Sequence, residues 1–183
     1  VEQLRLLIGY GADVNTRVYE KSALFYTLRS LYVDADDKYQ IAQLLIDNGI
    51  NLYAEDNWGL TLPMLLIKEM NPDEEYSRKR TLADLNFLIK NNIDLSYRSS
   101  DQFTMLGVAL CEDRKEVAEL LFSHGVQRDR RSEWWYLLRE RRGYHDTLSK
   151  LRQLVLEGVD VDLQTPTALF GYTLKVKQPG ITA

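Results

Sequence analysis

The chain has 183 residues, of which 45% are hydrophobic and 27% charged, with a net charge of −4. This is ordinary for a soluble fold and enough for one domain with a core or one short repeat array. The acidic balance gives no support to a global nucleic-acid or membrane-surface role, no apolar run approaches the ~20 residues that span a bilayer, and one cysteine, Cys111, excludes an internal disulfide framework and fits a reducing compartment.

In chain order, "VEQLRLLI" reads as the apolar half of a helix, closed by a turn at Gly11 and an extended step at Val14. The polar excursion "NTRVYEK" (15–21) leads to Ser22, whose hydroxyl can cap a short helix over "SALFYT". Asp36 can cap a second helix running to about Asn48, ended by Gly49. After "YAEDNWGL" (53–60), Thr61 opens "TLPMLL". "NPDEE" (71–75) predicts another start, with Asn71 as cap, Pro72 at the first helical position and acids in the first turn. That helix ends at Asn92, and "YRSSDQF" (97–103) follows. Thr104 opens "TMLGVA", Asp113 and Glu116 form a capping-box pattern before "VAELLF", and Gly125 ends that helix. "RDRRSE" (128–133) is the next polar excursion. Gly143 is expected to end one helix, Asp146 to cap the next through Leu156, and Thr165-Pro166 to begin a last one through about Lys175.

These pieces echo one another. "RLLIGYGADVN", "QLLIDNGINLY", "NFLIKNNIDLS", "ELLFSHGVQRD" and "QLVLEGVDVD" each close a helix, turn at Gly or Asn, and step out through Val14, Leu52, Leu95 or Val161. The turn residues Gly11, Gly49, Asn92, Gly125 and Gly158 are 38, 43, 33 and 33 apart. A second echo, "SALFYT", "TLPMLL", "TMLGVA" and "TALFGY" (from Thr167), lies between them. Together they resemble the ankyrin repeat, with its T-P-L-H-x-A signature, a helix ending G-A-D-V-N and a period near 33. "GYGADVN" (9–15) and "DQFTMLGVAL…EVAELLFSHGV" (101–126) carry the likeness best. Elsewhere Leu62 replaces the usual Pro, and Phe25, Met64 and Gly107 replace the His.

The resemblance implies an all-α, ankyrin-like solenoid of helix-turn-helix repeats with short projecting hairpin or loop fingers. It divides residues 1–183 into a half-repeat at 1–15, repeats at about 16–53, 54–96, 97–129 and 130–162, and a terminal helix at 163–183. Two repeats are overlong, around "LYVDADDK" and "EMNPDEEYSRKR", which predicts lengthened helices with charged connectors. The first helix lacks the partner that would cover Leu4, Leu7 and Ile8, so the chain is expected to be a piece of a longer one.

No catalytic constellation is legible, and no cofactor or metal is called for. His124, before a turn glycine, reads as structural, and His145 as a connector residue. Cys111 has no sequence-placed partner and reads as core. Zinc spacings, calcium loops and phosphate loops are absent from the sequence.

The stretch "RDRRSEWWYLLRERR" (128–142) is unusual, with six arginines, three acids and Trp134, Trp135 and Tyr136. It suits a protein hot spot or a single nucleic-acid strand, or one Trp packs inside while the arginines pair with acids. Adjacent helical residues point about 100° apart, so the two tryptophans cannot be equally buried. By resemblance, partners are held by the fingers and the concave face of the inner helices. The candidate contacts are Arg17, Tyr19, Asp56, Trp58, Arg98, Asp101, Phe103, Arg130, Arg131, Trp134 and Trp135. The function expected is a monomeric protein-binding module without chemistry of its own. The alternative is the substrate-recruiting part of a bacterial secreted effector that works in host cytosol, with an ADP-ribosyltransferase-like domain upstream. The third and weakest reading is nucleic-acid binding through 128–142.

Overall fold

The computed structural model of the chain describes residues 1–30, 32–139 and 144–159. Among these it is mostly helical: α1 (Glu2–Gly9), α2 (Ala23–Arg29), α3 (Ala35–Asp47), α4 (Leu62–Lys68), α5 (Glu75–Lys90), α6 (Met105–Cys111), α7 (Lys115–Ser123), α8 (Arg130–Arg139) and α9 (Tyr144–Leu156). The strands described are β1 (Arg17–Val18) and β2 (Lys21–Ser22), antiparallel, with Arg17 opposite Ser22. The expected helix end at Gly143, the step at Val161 and the helix from Thr165 lie outside the described residues, as do the side chains of His145 and Asp146.

Helices pack in succession, α2 on α3, α4 on α5, α6 on α7 and α8 on α9. The short helices α4, α6 and α8 also pack side by side. Their composition explains this. α4 buries every residue from Leu62 to Ile67, and α6 buries Met105 to Ala109 and Cys111, so both are apolar all round and must be covered on every side. α5 and α7 bury only a stripe, Thr81, Asp84, Leu85 and Leu88 in one and Val117, Ala118 and Leu121 in the other. Each fully buried Leu contributes roughly 1.5–3 kcal/mol by leaving water. α1 buries none of its residues, and Leu6 and Leu7 are 61% and 58% exposed.

The turn residues behave as their chemistry requires. Gly11, Gly49, Asn92, Gly125 and Gly158 all have φ between +58° and +88°, a region open to glycine and tolerated by asparagine. Each closes its helix with the same pair of bonds: Gly49 N–H donates to the Ile46 carbonyl at 3.0 Å and Ile50 N–H to that of Leu45 at 3.1 Å. The same two bonds recur at the other four sites, which makes each a Schellman motif.

Helix starts follow the sequence less closely. The hydroxyls of Ser22 and Thr104 accept from the amides of Phe25 and Gly107, at 3.3 and 3.1 Å. Thr61 takes the cap position without such a bond, and Pro63 removes one N–H from its first turn. The cap of α3 is Asp34, not Asp36, with Oδ1 accepting from Asp37 N–H at 2.9 Å. α5 starts at Glu75, and "NPDE" forms a turn ahead of it, held by Asn71 Oδ1 and the Asp73 amide at 3.1 Å. Asp113 is no cap either: it adopts φ +56°, and Arg114 precedes α7. The polar run 128–133 is shorter as a finger than expected, because α8 begins at Arg130.

The helices in the two long stretches are themselves longer, with 13 residues in α3 and 16 in α5 against 9 in α7. The added turns bring in charge. Lys38 and Asp84 form an ion pair at 2.7 Å, both buried, with Tyr39 O–H donating to the same carboxylate oxygen at 2.9 Å. Arg80 closes the group, 4.0 Å from the other oxygen, while donating to the carbonyls of Leu28 and Ser30 at the end of α2.

Candidate functional site

The segments between each turn and the next short helix, termed fingers, are hydrogen-bonded to one another in series. Arg17 donates to the carbonyl of Glu55 at 2.6 Å, the Glu55 carboxylate accepts from the Ser100 amide at 2.8 Å and from its hydroxyl, and Arg98 pairs with Asp129. Behind them Asn15 donates to the Gly49 carbonyl and accepts from the Asn51 amide, and Tyr53 Oη accepts from the Asp94 amide at 2.8 Å. Tyr53 and Tyr97 stack at 4.3 Å.

This lacing engages several predicted contact residues. Arg17 and Arg98 spend donors on neighbouring fingers, and Arg17 also binds the Glu20 carbonyl. Asp56 Oδ1 accepts from the amides of Trp58 and Leu60, at 2.8 and 2.9 Å, and so shapes its own turn. Asp101 lies against Gly59, where a Cβ would collide with its carboxylate.

Two candidates are not on the surface. Phe103 is 2% exposed and meets Tyr136 edge-on at 5.4 Å, and Trp134 is 6% exposed in the core. A positional signal existed for both. Phe103 precedes Thr104 as the buried Leu60 precedes Thr61, and Trp134 follows Ser132 by two residues as Leu24 follows Ser22. Trp135 is half-buried, as the angular offset between adjacent residues demands.

Two arginines of the arginine-rich stretch, Arg128 and Arg130, are paired within the fold. Arg128 grips Glu133 with two bonds, at 2.7 and 2.9 Å, and lies 3.1 Å from Glu157, which Arg130 approaches at 3.0 Å. The hydrogen bond to Glu133 raises the affinity of Arg128 for its proton. Conversely, the Gln153 amide, then Arg128 and Arg130, hold the Glu157 carboxyl below its ordinary range. Arg131 is exposed.

Several large side chains of the first two fingers and of α2 face outward. Tyr19 is 90% exposed, Trp58 60%, Val18 54% and Tyr26 42%. Tyr19 and Glu20 are the central pair of the β1–β2 turn, with φ of +47° and +62°. Positive φ at both is the type I′ geometry that Asn-Gly satisfies best, and holding two larger residues there costs of order 1–3 kcal/mol each. The surroundings enforce it: Arg17 Nε donates to the Glu20 carbonyl at 3.1 Å, and Tyr26 O–H to that of Val18 at 2.9 Å. Sequence reasoning missed Tyr26, whose place in a short apolar helix gave no sign of exposure.

His124 Nδ1 lies 2.9 Å from the Leu120 carbonyl, which can only accept, so Nδ1 carries the proton. Burial, then Glu133, push the Cys111 thiol up, which keeps it protonated and poorly nucleophilic. Among the described residues no group of three or more His, Cys, Asp or Glu could hold a metal ion, and no helix is long and apolar enough to cross a membrane.

Searches of protein-family models and of curated proteins find no match to this chain.

Proposed function

We propose that this chain is an ankyrin-like stack of helix pairs that recognises a partner protein through its fingers and the adjoining surface of its short helices. The observation that carries the reading is the fingertip turn. A bulky residue at positive φ, braced from both sides yet 90% exposed, is held in place for something outside the chain. Support also comes from the five identical helix-ending turns, the packing of α4, α6 and α8 side by side, and the laced fingers. A scaffold of this kind presents its tips rigidly, which lowers the ordering cost of binding.

The test is affinity capture with the full chain, partners being identified by mass spectrometry. A variant carrying Tyr19→Ala and Trp58→Ala should lose the captured protein, with helicity unchanged by circular dichroism. A second variant, Arg131→Glu with Trp135→Ala, probes the α8 surface. If both variants capture the same protein as well as the parent chain, the finger-based reading is wrong.

A further inference from the structure

Two cations share one carboxylate beneath the first two fingers. Lys21 Nζ lies 2.8 Å from Oε1 of Glu69, and Arg29 Nε lies 3.4 Å from Oε2. The three side chains are 27–32% exposed, so water reaches them without fully screening them. Glu69 is the one carboxylate within ion-pair distance of either cation among the described residues. The triad therefore keeps net positive charge in a chain whose net charge is −4.

Exposed aromatic surface borders this charge. Tyr26 and Arg29 are three apart on α2 and so share a face. Tyr26 braces the Val18–Tyr19 tip, and Lys21 lies 4.0 Å above the Phe25 ring. Across from them Lys68, next to Glu69, lies 6.0 Å from the ring of Trp58. Fingers 1 and 2 are joined by the bond from Arg17 to Glu55. Tyr19, Tyr26, the cation pair and Trp58 are thus linked by a chain of contacts across fingers 1 and 2.

We propose that this surface is a docking site for an acidic, extended segment of a partner protein. A partner carboxylate completes the Lys21–Arg29 pair, and an aromatic or aliphatic neighbour packs on Tyr19 and Trp58. The inference rests on the protein-recognition reading above and names the partner's chemistry.

The test uses fluorescein-labelled decapeptides in three sets, read by anisotropy with the full chain: Asp/Glu residues around a central Phe, the same with Asn/Gln, and the same with Lys. The acidic set should bind, more weakly as salt rises, and the other two should not. Lys21→Gln with Arg29→Gln should weaken binding about tenfold or more. Glu69→Gln should strengthen it, because the competing internal carboxylate is gone. Tyr19→Gly should weaken it while keeping or raising the melting temperature, since glycine accepts the positive φ. Failure of the acidic set to bind, equal binding of all three sets, or weaker binding by Glu69→Gln overturns the proposal. Capture of a cellular partner that survives Lys21→Gln/Arg29→Gln would overturn it too, while leaving the recognition reading intact.

Discussion

Lys38 holds its ammonium 2.7 Å from Oδ1 of Asp84, 46 residues further along the chain, and both side chains are shut away from water. Counted back from the turn that ends each helix, Asp84 stands where the regular α7 has the buried Val117. The cations that balance it, Lys38 and Arg80, come from the added turns of α3 and α5. Such a pair does little for net stability, because both ions were desolvated to form it, yet losing one partner strands the other.

Replacing Asp84 with Leu should therefore cost about 3–5 kcal/mol. Combining it with Lys38→Met should recover most of that loss, since Arg80 keeps its carbonyl partners on the α2 side. Urea unfolding of the two variants checks both halves. A double variant no more stable than the single one would show that the pair is not the source of the cost.

Trp134 and Trp58, both candidate contacts in the sequence, should separate cleanly. Trp134→Ala removes a 6%-exposed ring from the core and should cost about 3–5 kcal/mol, whatever it does to binding. Trp58 is 60% exposed, so Trp58→Ala should change stability by less than about 0.5 kcal/mol. Thermal melts decide the matter. Comparable losses would mean that finger 2 is packed more tightly than its exposure implies.

The helix-ending turns were readable in advance because backbone chirality leaves few residues fit for positive φ, and Gly11, Gly49, Asn92, Gly125 and Gly158 are of those types. Caps were less readable: in "DADD" several carboxylates compete for the cap, and it is Asp34 that accepts from the Asp37 amide. Burial of Phe103 and Trp134 was misread because both sit in polar runs, and for Phe103 part of the cover, Tyr136, comes from 33 residues further along the chain. The Asp84 cluster was invisible for the same reason. Its members lie 46 residues apart and break the apolar periodicity that marks a core.

Gly107, in α6, has no room for a side chain unless Ser132 shifts. A Cβ would fall inside contact distance of Ser132 Oγ, the atom that accepts from the Thr104 amide at 2.8 Å and from its hydroxyl at 3.0 Å. Gly107→Ala should cost about 1–3 kcal/mol by forcing α6 and α8 apart. Ser132→Ala removes the obstructing oxygen, so the double variant should be more stable than the sum of the two single effects implies. A double-mutant cycle measures that coupling, and strict additivity would place the strain elsewhere.

Cys111 gives a pH signature. Burial, then the Glu133 carboxylate, hold the thiol proton in the folded chain to higher pH than the ordinary value of about 8.5. The unfolded chain thus ionises first. The stability this contributes is complete below the unfolded value and is lost as pH rises toward the folded one. Tyr39 acts in the same direction, its phenol raised by burial and then by Asp84. Urea midpoints should therefore fall between about pH 8 and pH 10, and fall less steeply in Cys111→Ala, even though that variant starts lower at neutral pH. Iodoacetamide should label the native thiol at least about tenfold more slowly than the denatured one at the same pH. Equal labelling rates, or a Cys111→Ala slope as steep as the parent's, would show that the thiol is open to solvent.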